Sequence, residues 1–148
     1  SSCVVDAQAL RFMRPAGQLV LTPHAGELAQ MLDCDRGEIE ADPLHFARLA
    51  AEKYGATVLL KGARSLIATP GHPTRVNLSG NPWLATAGSG DVLAGFIGSL
   101  LASGMDTHEA ASVGAYLHGF AADLVGGPMR ASDIAEMLPI AFTEWGQI

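Results

Sequence analysis

Charge is scarce in this chain. Only 16% of its 148 residues are Asp, Glu, Lys or Arg, and the formal balance is −6. No cluster of basic residues stands out, Arg11 and Arg14 being the nearest thing to a pair. That excludes the electrostatic footprint of a protein that grips a nucleic-acid backbone. Cysteine is nearly absent: Cys3 and Cys34 make no disulfide framework, which fits a cytoplasmic location. Both thiols read as small hydrophobes, Cys3 in a buried strand and Cys34 at a helix end. No apolar run reaches membrane-spanning length, because Gly, Ser and charged residues interrupt each one. Ser1-Ser2-Cys3-Val4-Val5 has neither the basic region nor the apolar stretch of a signal peptide. A composition that is 49% hydrophobic excludes disorder and predicts one globular domain over residues 1–148 with a substantial core.

Short apolar runs ending in polar residues are the mark of buried parallel strands. Val4-Val5 before Asp6 and Leu19-Val20-Leu21 before Thr22-Pro23 have this form. Thr57-Val58-Leu59-Leu60 is the clearest, and Lys61-Gly62-Ala63-Arg64-Ser65 follows it at once. Leu28, Met31 and Leu32 recur at helical spacing over Gly26–Leu32. A second helix is expected from Pro43 to Tyr54, with Phe46, Leu49 and Ala50 on one face and Gly55 as its stop. Leu66-Ile67-Ala68 and Thr74-Arg75-Val76-Asn77 flank Pro70-Gly71-His72-Pro73 and predict a β-hairpin. Three helices close the chain: Asp91–Ser103, Thr107–Val125 and Ser132–Ile140. Strand–helix alternation followed by helices predicts an α/β layered fold with its site at the carboxyl ends of the strands.

The stretch Asn81-Pro82-Trp83-Leu84-Ala85-Thr86-Ala87-Gly88-Ser89-Gly90-Asp91 is a glycine-rich loop that runs into an apolar helix. Glycines let backbone N–H groups approach a ligand, and the first helical turn adds unpaired donors and partial positive charge. Asp91 at that point can take a hydroxyl proton beside a bound phosphate. An anion seat paired with a carboxylate is what phosphoryl transfer to an alcohol requires. Two familiar glycine motifs are excluded. Gly-x-x-x-x-Gly-Lys-Ser/Thr is absent, and Gly88-Ser89-Gly90 does not continue to a glycine at Leu93.

Other polar residues carry two readings each. His24 and Glu27 are too few for a closed zinc site. They stand instead as a structural helix start or, for His24, a polar substrate contact. Lys61 is either a solvated loop lysine or a point charge reaching a phosphate. His118, beside Leu117 and Phe120, reads as a packing histidine, and His45, His72 and His108 read as surface residues. Trp83 either stacks on a ligand base or caps the core. Asp6 is a site residue or a helix cap.

Four blocks in order, Val5-Asp6-Ala7-Gln8-Ala9-Leu10, Leu21 to Glu27, Leu60-Lys61-Gly62-Ala63 and Gly80 to Gly95, resemble the ADP/ATP-dependent NAD(P)H-hydrate dehydratase family of the ribokinase-like superfamily. Tyr116-Leu117-His118-Gly119 and Ala131-Ser132-Asp133 are similar to it too. The resemblance implies repair of hydrated NADH or NADPH, whose hydroxyl is phosphorylated from ADP or ATP with Mg2+ before phosphate is eliminated. It implies that His24 and Asp91 contact the hydrate and that Asp91 is the base. Lys61, Gly62, Ala63, Arg64, Ser65 and Gly90 would line the adenine nucleotide. A homo-oligomer is likewise expected from the resemblance. A departure is Trp83-Leu84, where the family usually has Gly-Met. The resemblance covers the C-terminal half or somewhat more of the family's catalytic domain, so an exposed apolar sheet edge is expected. A small-molecule kinase of the same superfamily, or a nucleotide-binding module without catalysis, are the other readings.

Overall fold

The computed structural model describes residues 2–6, 9 and 18–147. Ser1, Ala7, Gln8, Leu10 and the Arg11/Arg14 pair lie outside them. Five strands form one sheet in the order of the chain: β1 (Ser2–Val5), β2 (Gln18–Leu21), β3 (Thr57–Leu60), β4 (Ser65–Ala68) and β5 (Arg75–Asn77). The first three run parallel, and β4 and β5 fold back antiparallel as the expected hairpin.

Alternation along the strands decides which helices cover which face. Leu19, Leu21, Val58, Leu60, Leu66 and Ala68 pack on helices α1 (Ala25–Leu32), α2 (Arg36–Ala41) and α3 (Pro43–Tyr54). Val20, Leu59 and Ile67 point the other way, onto α4 (Ser89–Ala102) and α5 (Thr107–Val125). Helix α6 (Ala131–Trp145) seats Ile134 and Ala141 against Leu117 and Ala121 of α5. The result is a three-layer α/β/α arrangement with a mixed, mostly parallel sheet.

Several boundaries differ from expectation for local reasons. Helix α2 is additional to the expected elements; Asp35 and Glu38 form a capping box that starts it, and buried Ile39 anchors it. Leu49 is exposed, because α3 rests on the small residues Ala47, Ala50 and Ala51. Helix α6 continues past Ile140 to Trp145 despite Pro139. Proline removes one internal hydrogen bond, whereas buried Ala141 keeps the following turn seated on the core. Cys3 is exposed rather than buried. Strand β1 is the sheet edge, and of its residues only Val5 is fully buried.

Candidate phosphate and acceptor site

Three parallel strands end side by side, and each hands a polar residue to the same end of the sheet. Asp6 follows β1, Thr22-Pro23-His24 follows β2, and Lys61 follows β3. The ladder extends one step beyond the strands: the Lys61 N–H donates to the Pro23 carbonyl at 2.8 Å, and His24 bridges Lys61 in parallel register. The Thr22 hydroxyl is buried here with no hydrogen-bond partner among the described residues.

His24 is the N-cap of α1. Its Nδ1 accepts from the Glu27 N–H at 3.1 Å, and its own N–H donates to Glu27 Oε2 at 2.8 Å. That reciprocal pair is a structural helix start. It leaves the exposed Nε2 edge of the ring 3.4 Å from Glu27 Oε1.

Lys61 is not a solvated loop lysine. Its side chain is only 24% exposed, and Nζ lies 3.9 Å from Asp6 Oδ1 and 4.0 Å from Glu27 Oε2. Separations of that size are attraction without a close ion pair, so the ammonium keeps donors to give. On its other side stands Gly90: a Cβ there would lie 3.4 Å from Nζ. The lysine therefore reaches the first turn of α4.

That turn begins earlier than expected, at Ser89, which makes Gly90 and Asp91 the second and third helical residues. Gly88 is the N-cap with φ 85°, a left-handed conformation that favours glycine. It sits close against Ala131 of α6. Ser89 N–H is satisfied by the Thr86 carbonyl and Val92 N–H by Gly88. The Gly90 and Asp91 N–H groups lie in the first turn, where helix starts leave donors without an intrahelical partner. The Asp91 side chain is exposed, and its carboxylate has no hydrogen bond or ion pair among the described residues. Trp83 lies on a short 3-10 turn, Pro82–Leu84, and is half exposed, so it does not cap the core.

Of the remaining expected residues, Gly62, Ala63 and Arg64 form the exposed β3–β4 turn, and Ser65 opens β4. The Arg64 guanidinium makes no hydrogen bond or ion pair among the described residues. The structure therefore gathers His24, Lys61 and Gly90 by direct neighbour contacts, with Asp91 beside Gly90. No hydrogen bond joins Gly62, Ala63 or Arg64 to that group. Glu27 and Asp6 belong to the cluster as Lys61's neighbours. Asp6 had a usable signal, since it follows a strand as His24 and Lys61 do. Glu27 had none, because its second role depends on Lys61, a residue distant in the chain.

Residues 1–139 match the sequence profile of the NAD(P)H-hydrate dehydratase family. The chain belongs to that family. An ADP-dependent (S)-NAD(P)H-hydrate dehydratase of Neisseria meningitidis serogroup B is 48% identical over 120 residues, which are 81% of this chain and 40% of the relative. Among solved structures, the ADP/ATP-dependent NAD(P)H-hydrate dehydratase of Bacillus subtilis, co-crystallised with ATP and Mg2+, superposes with a TM-score of 0.88 at 30% identity. That match covers 97% of this chain and 55% of the other. A ribokinase-like superfamily protein of Enterococcus faecalis gives a TM-score of 0.81 at 28% identity, covering 96% of this chain and 52% of its own. The fold is ribokinase-like, and the chain spans about half the length of these relatives or less.

Two buried histidines lie outside the expected site. His108 is 3% exposed, not a surface residue: its Nδ1 lies 2.8 Å from the Thr69 hydroxyl, which joins Thr57 and Thr107 in one chain of hydroxyls. Burial first, then Arg75 and His72, lowers its pKa. His118 is 6% exposed, and burial lowers its pKa to about 4 against a smaller opposing effect of the Ser89 hydrogen bond. Both rings take up protons less readily when folded, while the unfolded chain takes them up below about pH 6.5. Stability is therefore full above that pH and falls as pH drops from about 6.5 toward 4, by about 3 kcal/mol for His118 alone. Urea midpoints at pH 7 and pH 5 check this, the pH 5 midpoint being the lower; equal midpoints contradict it.

Proposed function

We propose that the chain carries the phosphate seat and acceptor-activating carboxylate of an enzyme that uses ADP or ATP to restore hydrated NADH and NADPH. The observation that carries this reading is the convergence of Lys61 Nζ on Gly90, with Asp91 next in the chain. A cation, two first-turn N–H groups and an ionisable carboxylate at one helix start suit phosphoryl transfer to a hydroxyl. Lys61, Gly90 and the β3–β4 turn from Gly62 to Ser65 bind the adenine nucleotide, and His24 and Asp91 contact the hydrate.

In this reading Asp91 accepts the hydroxyl proton as the hydrate oxygen bonds to the terminal phosphorus. The bond from that phosphorus to the nucleotide breaks, releasing AMP from ADP or ADP from ATP. The new phosphate ester then leaves as inorganic phosphate with loss of a proton from the ring, and the reduced nicotinamide returns. Mg2+ would offset phosphate charge. It suits a site where phosphates supply most ligands, and no group of three or more His, Cys, Asp or Glu side chains gathers among the described residues.

Residues 1–148 act in this reading as one partial ribokinase-like domain, cytoplasmic and self-associated. No helix among the described residues is long and apolar enough to cross a membrane. The test is to mix the protein with hydrated NADH and ADP and follow the reduced-nicotinamide absorbance together with phosphate release. Equal, ADP-dependent gains in both are expected. A stable phosphorylated product with no absorbance gain would establish a small-molecule kinase instead; nucleotide binding without either would leave a non-catalytic module.

A further inference from the structure

The glycine loop and the segment before it are held by the C-terminal half of α5, through contacts spread over their length. Asn77 Nδ2 donates to the Ala115 carbonyl at 3.1 Å, and Ser79 Oγ donates to Tyr116 O at 2.8 Å. Gly80 N–H donates to Asp123 Oδ2 at 2.9 Å, and Asn81 Nδ2 donates to Ala122 O at 3.0 Å. Gly119 makes the approach possible, since a Cβ there would fall on the Ser79 hydroxyl and carbonyl. His118 reaches furthest along the loop, to Ser89: its Nε2 lies 3.0 Å from the Ser89 carbonyl and 3.4 Å from the Ser89 hydroxyl.

A carbonyl only accepts, so His118 carries its proton on Nε2 and donates to Ser89 O. That oxygen belongs to the first residue of α4, whose regular partner is the N–H four residues on, at Leu93. One lone pair serves the helix and the other serves His118. The helix does not need the histidine to satisfy its backbone, yet a polar ring is buried here with its Nε2 on Ser89. Burying such a ring is unfavourable unless its N–H is paired. A leucine would fill the same space without that requirement.

We propose that His118 is a positioning residue for Asp91, fixing the first turn of α4 so that Gly90 and Asp91 face the phosphate seat. This rests on the phosphoryl-transfer reading of that turn. His118 touches neither nucleotide nor hydrate; it acts through Ser89. Neutrality of the ring near pH 7 suits the task, because an uncharged donor leaves the charge balance around Lys61 and Asp91 undisturbed.

The test compares the parent chain with His118→Gln, which keeps a donor at similar reach, and His118→Leu, which removes it. Amide hydrogen exchange at Val92 and Leu93 reports whether the first turn of α4 is held. In His118→Leu these amides should exchange roughly tenfold faster, while β3 amides keep their rates. Turnover should fall about 100-fold with a smaller rise in the KM for ADP, since Lys61 still holds the phosphate while the acceptor group is misplaced. His118→Gln should recover most of both. Where His118→Leu does not fold, His118→Asn, too short to reach Ser89, makes the same comparison with Gln. Unchanged exchange at Val92 and Leu93, or acceleration shared equally with β3, overturns the proposal, as does an equal loss in Gln and Leu. A parent that holds its α4 amides in this way yet shows no turnover counts against the proposed reaction alone.

Discussion

Asp91→Ala is expected to lower turnover by about 10²–10⁴-fold while nucleotide binding survives. The carboxylate is exposed at the third position of α4 and makes no hydrogen bond or ion pair among the described residues. Nothing else in the fold therefore loses a partner when it goes. An acidic residue in a first helical turn is worth only about 0.3–1 kcal/mol to stability, so the variant stays folded. The phosphate seat consists of the Lys61 ammonium and backbone N–H groups, which the substitution leaves in place. Asp91→Asn should behave alike, since the amide keeps the shape and cannot take the proton. Calorimetric titration with ADP beside a turnover assay separates the two roles, in this chain or in a longer one that contains it. Lost ADP binding with unchanged turnover would contradict the assignment.

Lys61→Met is expected to do the reverse, weakening ADP binding by roughly tenfold to a hundredfold with little change in fold stability. The Lys61 side chain is 24% exposed, and its ammonium stands 3.9 and 4.0 Å from two carboxylates. Pairs at the outer limit of ion-pair distance, with neither partner fully buried, contribute about 1 kcal/mol to stability. Its removal takes away the positive charge beside Glu27, so an incoming phosphate loses its attraction and meets a carboxylate. Arginine is not a neutral replacement, because its planar fork would crowd Gly90, whose missing side chain Nζ now approaches. Isothermal titration with ADP, run beside the Asp91 variants as controls, checks this. An ADP affinity within about twofold of the parent, well short of the tenfold that a lost charge–phosphate contact implies, would remove Lys61 from the phosphate seat.

The two substitutions also show which parts of the site are legible without the fold. Asp91 and Gly90 are, because a glycine loop running into an apolar helix is a local pattern with a local electrostatic meaning. Strands β2 and β3, the β4–β5 hairpin and helices α3 to α5 are legible for the same reason: period and punctuation are short-range. Lys61 alone is ambiguous between solvent and ligand. What removes the ambiguity is the sheet, which sets Asp6, His24 and Lys61 at neighbouring strand ends and folds α4 back over them. His108 misleads because the second residue of a helix is ordinarily wet, whereas here Thr57 and Thr69 turn hydroxyls in from the sheet. Cys3 misleads because a short apolar run cannot reveal whether its strand is central or an edge. Helix α6, expected to end at Ile140, runs on to Trp145 because buried Ala141 seats its next turn on the core, which a local pattern does not show.

The most direct measurement is a crystal structure of this chain with a non-hydrolysable ATP analogue. The expected result is a terminal phosphate with its oxygens about 3 Å from the Gly90 N–H and Lys61 Nζ, and Asp91 on the side open to the acceptor. An analogue bound away from the first turn of α4, with Lys61 still turned to Asp6 and Glu27, would contradict the assignment of this helix start as the phosphate seat.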